Sequence, residues 1–150
     1  MNISTALATL FGIGRAPGAP GTVASVVALI LAGAIAFLGG RYVLLAATAV
    51  AIAVGVWASG EYIKTTRERD PSECVIDELA GQWLACAIAP RTVLAYLAVF
   101  ALFRMFDILK PWPISRFEAF GGGWGIMADD LGAAVLAGFV VYAISLVVVL

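Results

Sequence analysis

The stretch Thr22–Gly40, TVASVVALILAGAIAFLGG, runs for 19 residues without a charged side chain. At 1.5 Å per residue it makes a helix of roughly 28 Å, close to the ~30 Å hydrocarbon core of a bilayer. Beyond Arg41, Tyr42–Gly60 is uncharged for another 19 residues, and Leu131–Leu150 is uncharged for 20. A buried core helix of a soluble protein seldom needs such length. The whole chain of 150 residues is 63% hydrophobic and 13% charged, with a mean hydropathy of +1.02. An ordinary soluble domain is less apolar and more charged. The expected fold is therefore all-α, a polytopic membrane helical bundle forming one domain over residues 1–150.

The segments between the long runs decide how many helices enter the membrane. Ile3–Phe11 reads as a short N-terminal helix at or in the membrane. Gly12–Gly21 holds four Gly and two Pro, too many for a helix interior, and reads as an irregular loop with Thr22 as the N-cap of the first long helix. Gly39-Gly40 ends that helix, and a second is expected from Arg41 to Gly60. Asp70-Pro71-Ser72 reads as the start of a third. Leu79–Pro90 and Thr92–Phe103 are each uncharged for only 12 residues, too short to span unless Asp77, Glu78, Arg104 and Asp107 are counted in. They form either a crossing pair or a shallow hairpin, giving about five membrane-embedded helices besides the N-terminal one. Lys110-Pro111-Trp112-Pro113 breaks the chain, and Phe120–Asp130 reads as a second Gly-rich loop before the last span.

Arg15 is the first basic residue, and it follows a Gly/Pro context unlike a signal peptide's start, so the first long run is expected to stay in the protein. If Arg15 lies inside, alternation of the spans places seven of the nine Lys and Arg inside, leaving only Arg41 and Arg91 outside. Basic loops favour the cytoplasm. The same alternation gathers the Gly/Pro loop, Asp77-Glu78, the segment Arg104–Lys110 and Asp129-Asp130 on one cytoplasmic face. A net charge of −1 says nothing about partners, and no feature points to nucleic acid. Cys74 and Cys86 lack metal-ligand spacing and read as buried thiols.

Charged groups at membrane depth cost about 2.5–3.5 kcal/mol each on insertion scales and need a reason. Arg104 and Lys110 are long enough to snorkel to the headgroups, which would make them structural. The short side chains of Asp77, Glu78, Asp107, Asp129 and Asp130 snorkel poorly and point to function. Clustered carboxylates without histidine favour a hard cation, and Mg²⁺ is often held by a few carboxylates, water and substrate phosphate. Arg104, Asp107 and Lys110 recur at intervals of three, near one another on a helix; an ion-pair row would look the same, but a cation beside a metal-binding carboxylate suits a phosphate. Gly21 and Thr22, at a helix start, add backbone N–H groups that attract anions, a weak signal alone. With no His in the chain, Ser-His hydrolysis and histidine-dependent phosphatases are excluded. A P-loop is absent as well.

Four stretches resemble the phosphatidylglycerophosphatase A family of bacterial membrane lipid phosphatases. They are FGIGRAPGAPGT (Phe11–Thr22), VIDELAGQW (Val75–Trp83), FRMFDILKPWPI (Phe103–Ile114) and GGWGIMADD (Gly122–Asp130), in the family's order. The resemblance implies Mg²⁺-dependent removal of the terminal phosphate of phosphatidylglycerophosphate, giving phosphatidylglycerol, at the inner membrane. It implies that Asp77, Glu78, Arg104, Asp107, Lys110, Asp129 and Asp130 belong to the functional set. Asp77, Glu78, Asp107, Lys110 and Asp130 are then expected to be catalytic, Arg104 and Lys110 with the Gly21-Thr22 helix start to bind phosphate, and some of Asp77, Glu78, Asp107, Asp129 and Asp130 to hold the metal. Ala24 and Ala134 stand where the family pattern has Gly, a matter of packing more than chemistry. A small cation-binding transporter or channel subunit is the alternative; its polar residues should line a path through the bilayer.

Overall fold

The computed structural model describes residues 2–149; Met1 and Leu150, the last residue of the third apolar run, lie outside the described residues. All regular structure among the described residues is helical. Short α1 (Ile3–Ala8) is followed by a 3₁₀ turn at Ile13–Arg15. The long α2 (Pro20–Thr66) breaks at Gly40, whose φ of 80° and ψ of −179° lie outside helical geometry, so it is two helices joined end to end, as the Gly39-Gly40 pair led one to expect. The bundle is completed by α3 (Ile76–Ile88), α4 (Val93–Leu109) and α5 (Gly122–Ser145), with a 3₁₀ segment at Ile114–Ala119 before the last.

Three expectations need correction. Thr22 is not a cap: Ala19 takes that place and Pro20 opens the helix, because the fixed φ of proline suits a first helical position whose N–H is unpaired anyway. The third helix begins at Ile76 rather than at Asp70-Pro71-Ser72. The second Gly-rich stretch is no loop, since α5 starts at Gly122 and already contains Asp129 and Asp130. Two of its glycines serve close packing. A Cβ on Gly123 would collide with the Val56 carbonyl of α2, and one on Gly125 with the Phe120 carbonyl.

Two helices, α2 and α5, are long and apolar enough to cross a membrane. Only 28% of the most apolar window of α2 is buried, although its mean hydropathy is 2.4. Large apolar side chains such as Ile30, Phe37, Leu38 and Phe139 face outward, while the interior is built from small ones. Ala24, Ala28, Ala32 and Ala36 recur every four residues along α2 and are all buried. Ala133, Ala134 and Ala137 are likewise buried on α5, with Gly138 against Ile88 of α3. That inversion suits helices packing in lipid, where small residues let backbones approach and the outside need not be polar. At 13 and 17 residues, α3 and α4 are shorter, about 20 and 25 Å, and include the charged residues at their ends.

The ends of the bundle differ. At one, Arg91 donates to the Ala36 carbonyl at 2.6 Å and Arg41 to the Ala89 carbonyl at 2.9 Å. These two arginines thus sit together and satisfy carbonyls that the helix ends leave without intrahelical partners. The starts of α2, α3 and α5 and the end of α4 meet at the other. There Arg15 and Tyr62 both donate to Glu73, at 3.2 and 2.9 Å, which ties the first loop to the α2–α3 connection. These hydrogen bonds, from Tyr62 first and then Arg15, lower the Glu73 carboxyl below its ordinary range.

Candidate active site

The helix ends enclose a cleft of about 700 Å³ lined by Gly21, Thr22, Asp77, Glu78, Arg104, Asp107, Lys110, Asp129 and Asp130. Every residue singled out from the sequence as a site residue is brought to it. Four separate segments contribute these residues, which is why no single motif could have shown the arrangement.

Asp77 and Glu78 occupy the first turn of α3, where the helix dipole favours negative charge. Asp107 lies near the end of α4, where the dipole disfavours it, and Arg104 one turn back compensates with a 2.6 Å ion pair. The same guanidinium is 3.8 Å from Glu78, so it bridges α4 to α3. Lys110 caps α4 in the left-handed region, with a φ of 45°. This conformation is uncommon outside glycine. It turns the ammonium toward α5, where it donates to Asp129 at 2.6 Å and also pairs with Glu118. Burial alone would lower the Lys110 ammonium, but its hydrogen bonds to the Asp129 and Glu118 carboxylates outweigh it and raise it, so the group stays charged near neutral pH. Glu118 was not legible as a site residue, since it follows the helix-breaking Pro111 and Pro113 and sits outside every apolar run.

Gly21 leaves room for two of these side chains. A Cβ there would collide with the Glu78 carboxylate and come within 3.2 Å of the Arg104 guanidinium. Gly21 and Thr22 stand in the first turn of α2, whose N–H groups have no intrahelical acceptors, and this end faces the cleft. Cys74 lines the cleft wall too, but it is buried, and burial pushes its thiol up to about 11, so it is a poor nucleophile. Both cysteines are free.

The carboxylates are only partly satisfied. Oδ1 of Asp77, Oε2 of Glu78, Oδ1 of Asp129 and Oδ2 of Asp130 are buried without a hydrogen-bond partner among the described residues, as is Nε of Arg104. Buried polar atoms are nearly always paired in folded proteins, and unpaired charged oxygens are costly. All these orphan oxygens are hard donors in one cleft, so the donor set fits a hard divalent cation. Two groups of three carboxylates, Asp77-Glu78-Asp130 and Asp107-Asp129-Asp130, can each bring oxygens within 4.8 Å of one another.

The comparisons with known proteins agree with the resemblance drawn from the motifs. The family model described as phosphatidylglycerophosphatase A matches residues 6–145. A protein of Bacteroides thetaiotaomicron, named provisionally as a phosphatidylinositol-3-phosphatase, is 37% identical over 93% of this chain and 91% of its own. Proteins named phosphatidylglycerophosphatase A from Haemophilus influenzae and Escherichia coli are 39% and 34% identical, each over 93% of this chain and over 86% and 81% of theirs. No solved structure matches. The match extends over nearly the full length and includes all four segments that bring these residues to the cleft. On these grounds the chain belongs to the phosphatidylglycerophosphatase A family.

Proposed function

We propose that the protein is a Mg²⁺-dependent phosphoric monoester hydrolase that removes the terminal phosphate of phosphatidylglycerophosphate, giving phosphatidylglycerol, at the cytoplasmic face of a bacterial inner membrane. Family membership supports the enzyme class and a phospholipid substrate. The observation that carries the chemistry is the convergence of five carboxylates, two cations and a helix start on one cleft at one end of an apolar bundle. Nothing favours the transporter alternative, because the site carboxylates gather at that one end and the core packed beside them is apolar.

Asp77, Glu78, Asp107, Asp129 and Asp130 would hold Mg²⁺, which when bound polarises a phosphoryl oxygen and makes water a better nucleophile. Arg104 and Lys110 are placed to balance charge on the transferring oxygens, and Arg104 keeps an unpaired Nε donor for one of them. Asp129 and Glu118 hold the Lys110 ammonium in place, while the first-turn amides of α2 offer further donors to an anion. Carboxylate oxygens without partners are the proton acceptors within reach of an attacking water. The exposed Trp112, Phe120 and Trp124 beside the cleft suit a membrane–water interface, where a lipid headgroup enters without its chains leaving the bilayer.

Purified protein in detergent is expected to release phosphate from phosphatidylglycerophosphate with Mg²⁺ and to lose that activity in EDTA. Phosphatidylinositol 3-phosphate, suggested by the name of the Bacteroides relative, is the natural competitor substrate. A higher kcat/KM on it would move the substrate assignment, and full turnover in EDTA would remove the metal from the reaction.

The sidedness has its own check. Cysteines placed at Gly40 and at Ser115, in a chain with Cys74 and Cys86 replaced, should differ toward a membrane-impermeant thiol reagent. Intact cells should label Gly40→Cys alone, and Ser115→Cys should react once cells are permeabilised. Labelling of Ser115→Cys in intact cells would place the cleft outside.

A further inference from the structure

We propose that the cleft takes two divalent cations at once, on two carboxylate triads that share Asp130. The inference builds on the hydrolase reading above for its chemistry, but its test is a binding measurement. One triad, Asp77-Glu78-Asp130, joins the start of α3 to α5; the other, Asp107-Asp129-Asp130, joins the end of α4 to α5. Among the described residues these two sets of acidic groups are close enough to hold an ion, and Asp130 alone belongs to both.

Two further observations point the same way. Asp130 is only 3% exposed and Asp129 only 7%, and each keeps one oxygen without a hydrogen-bond partner. Asp77, on the far side of the shared residue, is 8% exposed and also carries an orphan oxygen. Unpaired oxygens thus occur in both triads, where one ion on one triad would satisfy only part of them. The charge balance is the second. The charge lining the cleft is Asp70, Asp77, Glu78, Asp107, Glu118, Asp129 and Asp130 against Arg69, Arg104 and Lys110, a formal −4. One divalent ion leaves −2, which still repels a phosphate monoester dianion, whereas two leave the cleft neutral and remove that repulsion. Two ions sharing a carboxylate would lie roughly 3.5–4 Å apart, the spacing at which phosphoryl-transfer sites clamp both attacking and leaving oxygens.

Mn²⁺ is the probe, titrated into the full chain in detergent without lipid substrate and followed by equilibrium binding and electron paramagnetic resonance. The wild-type chain should bind two equivalents, with the exchange-coupled spectrum of a close pair. Glu78→Gln and Asp107→Asn should each leave one equivalent and an uncoupled spectrum, and Asp130→Asn should weaken both equivalents by more than tenfold. These changes keep side-chain volume, and circular dichroism checks that the bundle is intact. One equivalent in the wild-type chain, or two without coupling, overturns the proposal whatever the variants do. A chain that binds one Mn²⁺ and still hydrolyses phosphatidylglycerophosphate would sink the pair and spare the function. A chain with a coupled pair and no turnover of any phospholipid phosphate would do the reverse.

Discussion

Asp130→Asn is expected to lower the rate of phosphate release by roughly 10³-fold or more, while the protein inserts and folds as before. Asp130 is 3% exposed, belongs to both carboxylate triads and has an oxygen with no partner. The amide keeps the size and most of the shape of the side chain, so packing is unchanged and only a charge disappears. Folding should even improve slightly, because a buried charge near other carboxylates is replaced by a neutral group. The measurement is kcat in detergent micelles at saturating Mg²⁺ and substrate, beside a thermal unfolding curve of the same preparation. The decisive pattern is a collapsed kcat with an equal or higher Tm. A kcat within tenfold of the parent would mean that Asp130 is structural and that the site is centred elsewhere.

Gly123→Ala should have the largest effect on stability. A Cβ at this position would overlap the carbonyl of Val56 and come within 3.0 Å of the Gly60 nitrogen, both backbone atoms of α2. A side chain can swing away from a clash, but a helix backbone cannot. The two helices must separate, at a cost of roughly 3 kcal/mol or more, the upper end of the range for overpacking. Separation also moves α5, and with it Asp129 and Asp130, away from α3, so activity should fall with stability. Gly33→Ala is the control. It lies within α2, has nothing within 4 Å of its added carbon, and should stabilise by about 0.5–1 kcal/mol through helix propensity. Thermal unfolding of both in one detergent tests the contrast, and equal Tm values would remove the packing role assigned to Gly123.

Much of the site was legible before any fold was seen, because carboxylates are rare at membrane depth. Their cost in lipid singles out Asp77, Glu78, Asp107, Asp129 and Asp130 without knowledge of where they meet. Counting Lys and Arg separated Arg41 and Arg91 from the rest, and these two do pack together at the far end of the bundle. Glu118 and the Tyr62-Glu73-Arg15 network carried no such signal. They lie in polar connections, where a charged residue is ordinary and only its partner gives it meaning.

The Gly-rich stretch before Asp129 shows the limit of local reading. Glycine marks a turn when the backbone needs φ > 0, and it marks close helix contact when a neighbouring backbone leaves no room for Cβ. The sequence looks the same in both cases. Gly122, with a φ of 64°, is of the first kind, and Gly123 beside it is of the second. Which one holds depends on Val56, 67 positions away in the chain.

By itself, then, the sequence determined the class of protein, the helical runs and the identity of the charged residues, because each follows from the cost of placing a group in hydrocarbon. Tertiary structure alone decided which carboxylates come within reach of one another, since that depends on how α3, α4 and α5 converge. It decided that Lys110 turns onto Asp129, through a left-handed cap that no periodicity announces. It also decided what stands beside Gly21, because the atoms that fill the place of its missing side chain come from Glu78 and Arg104, on two other helices.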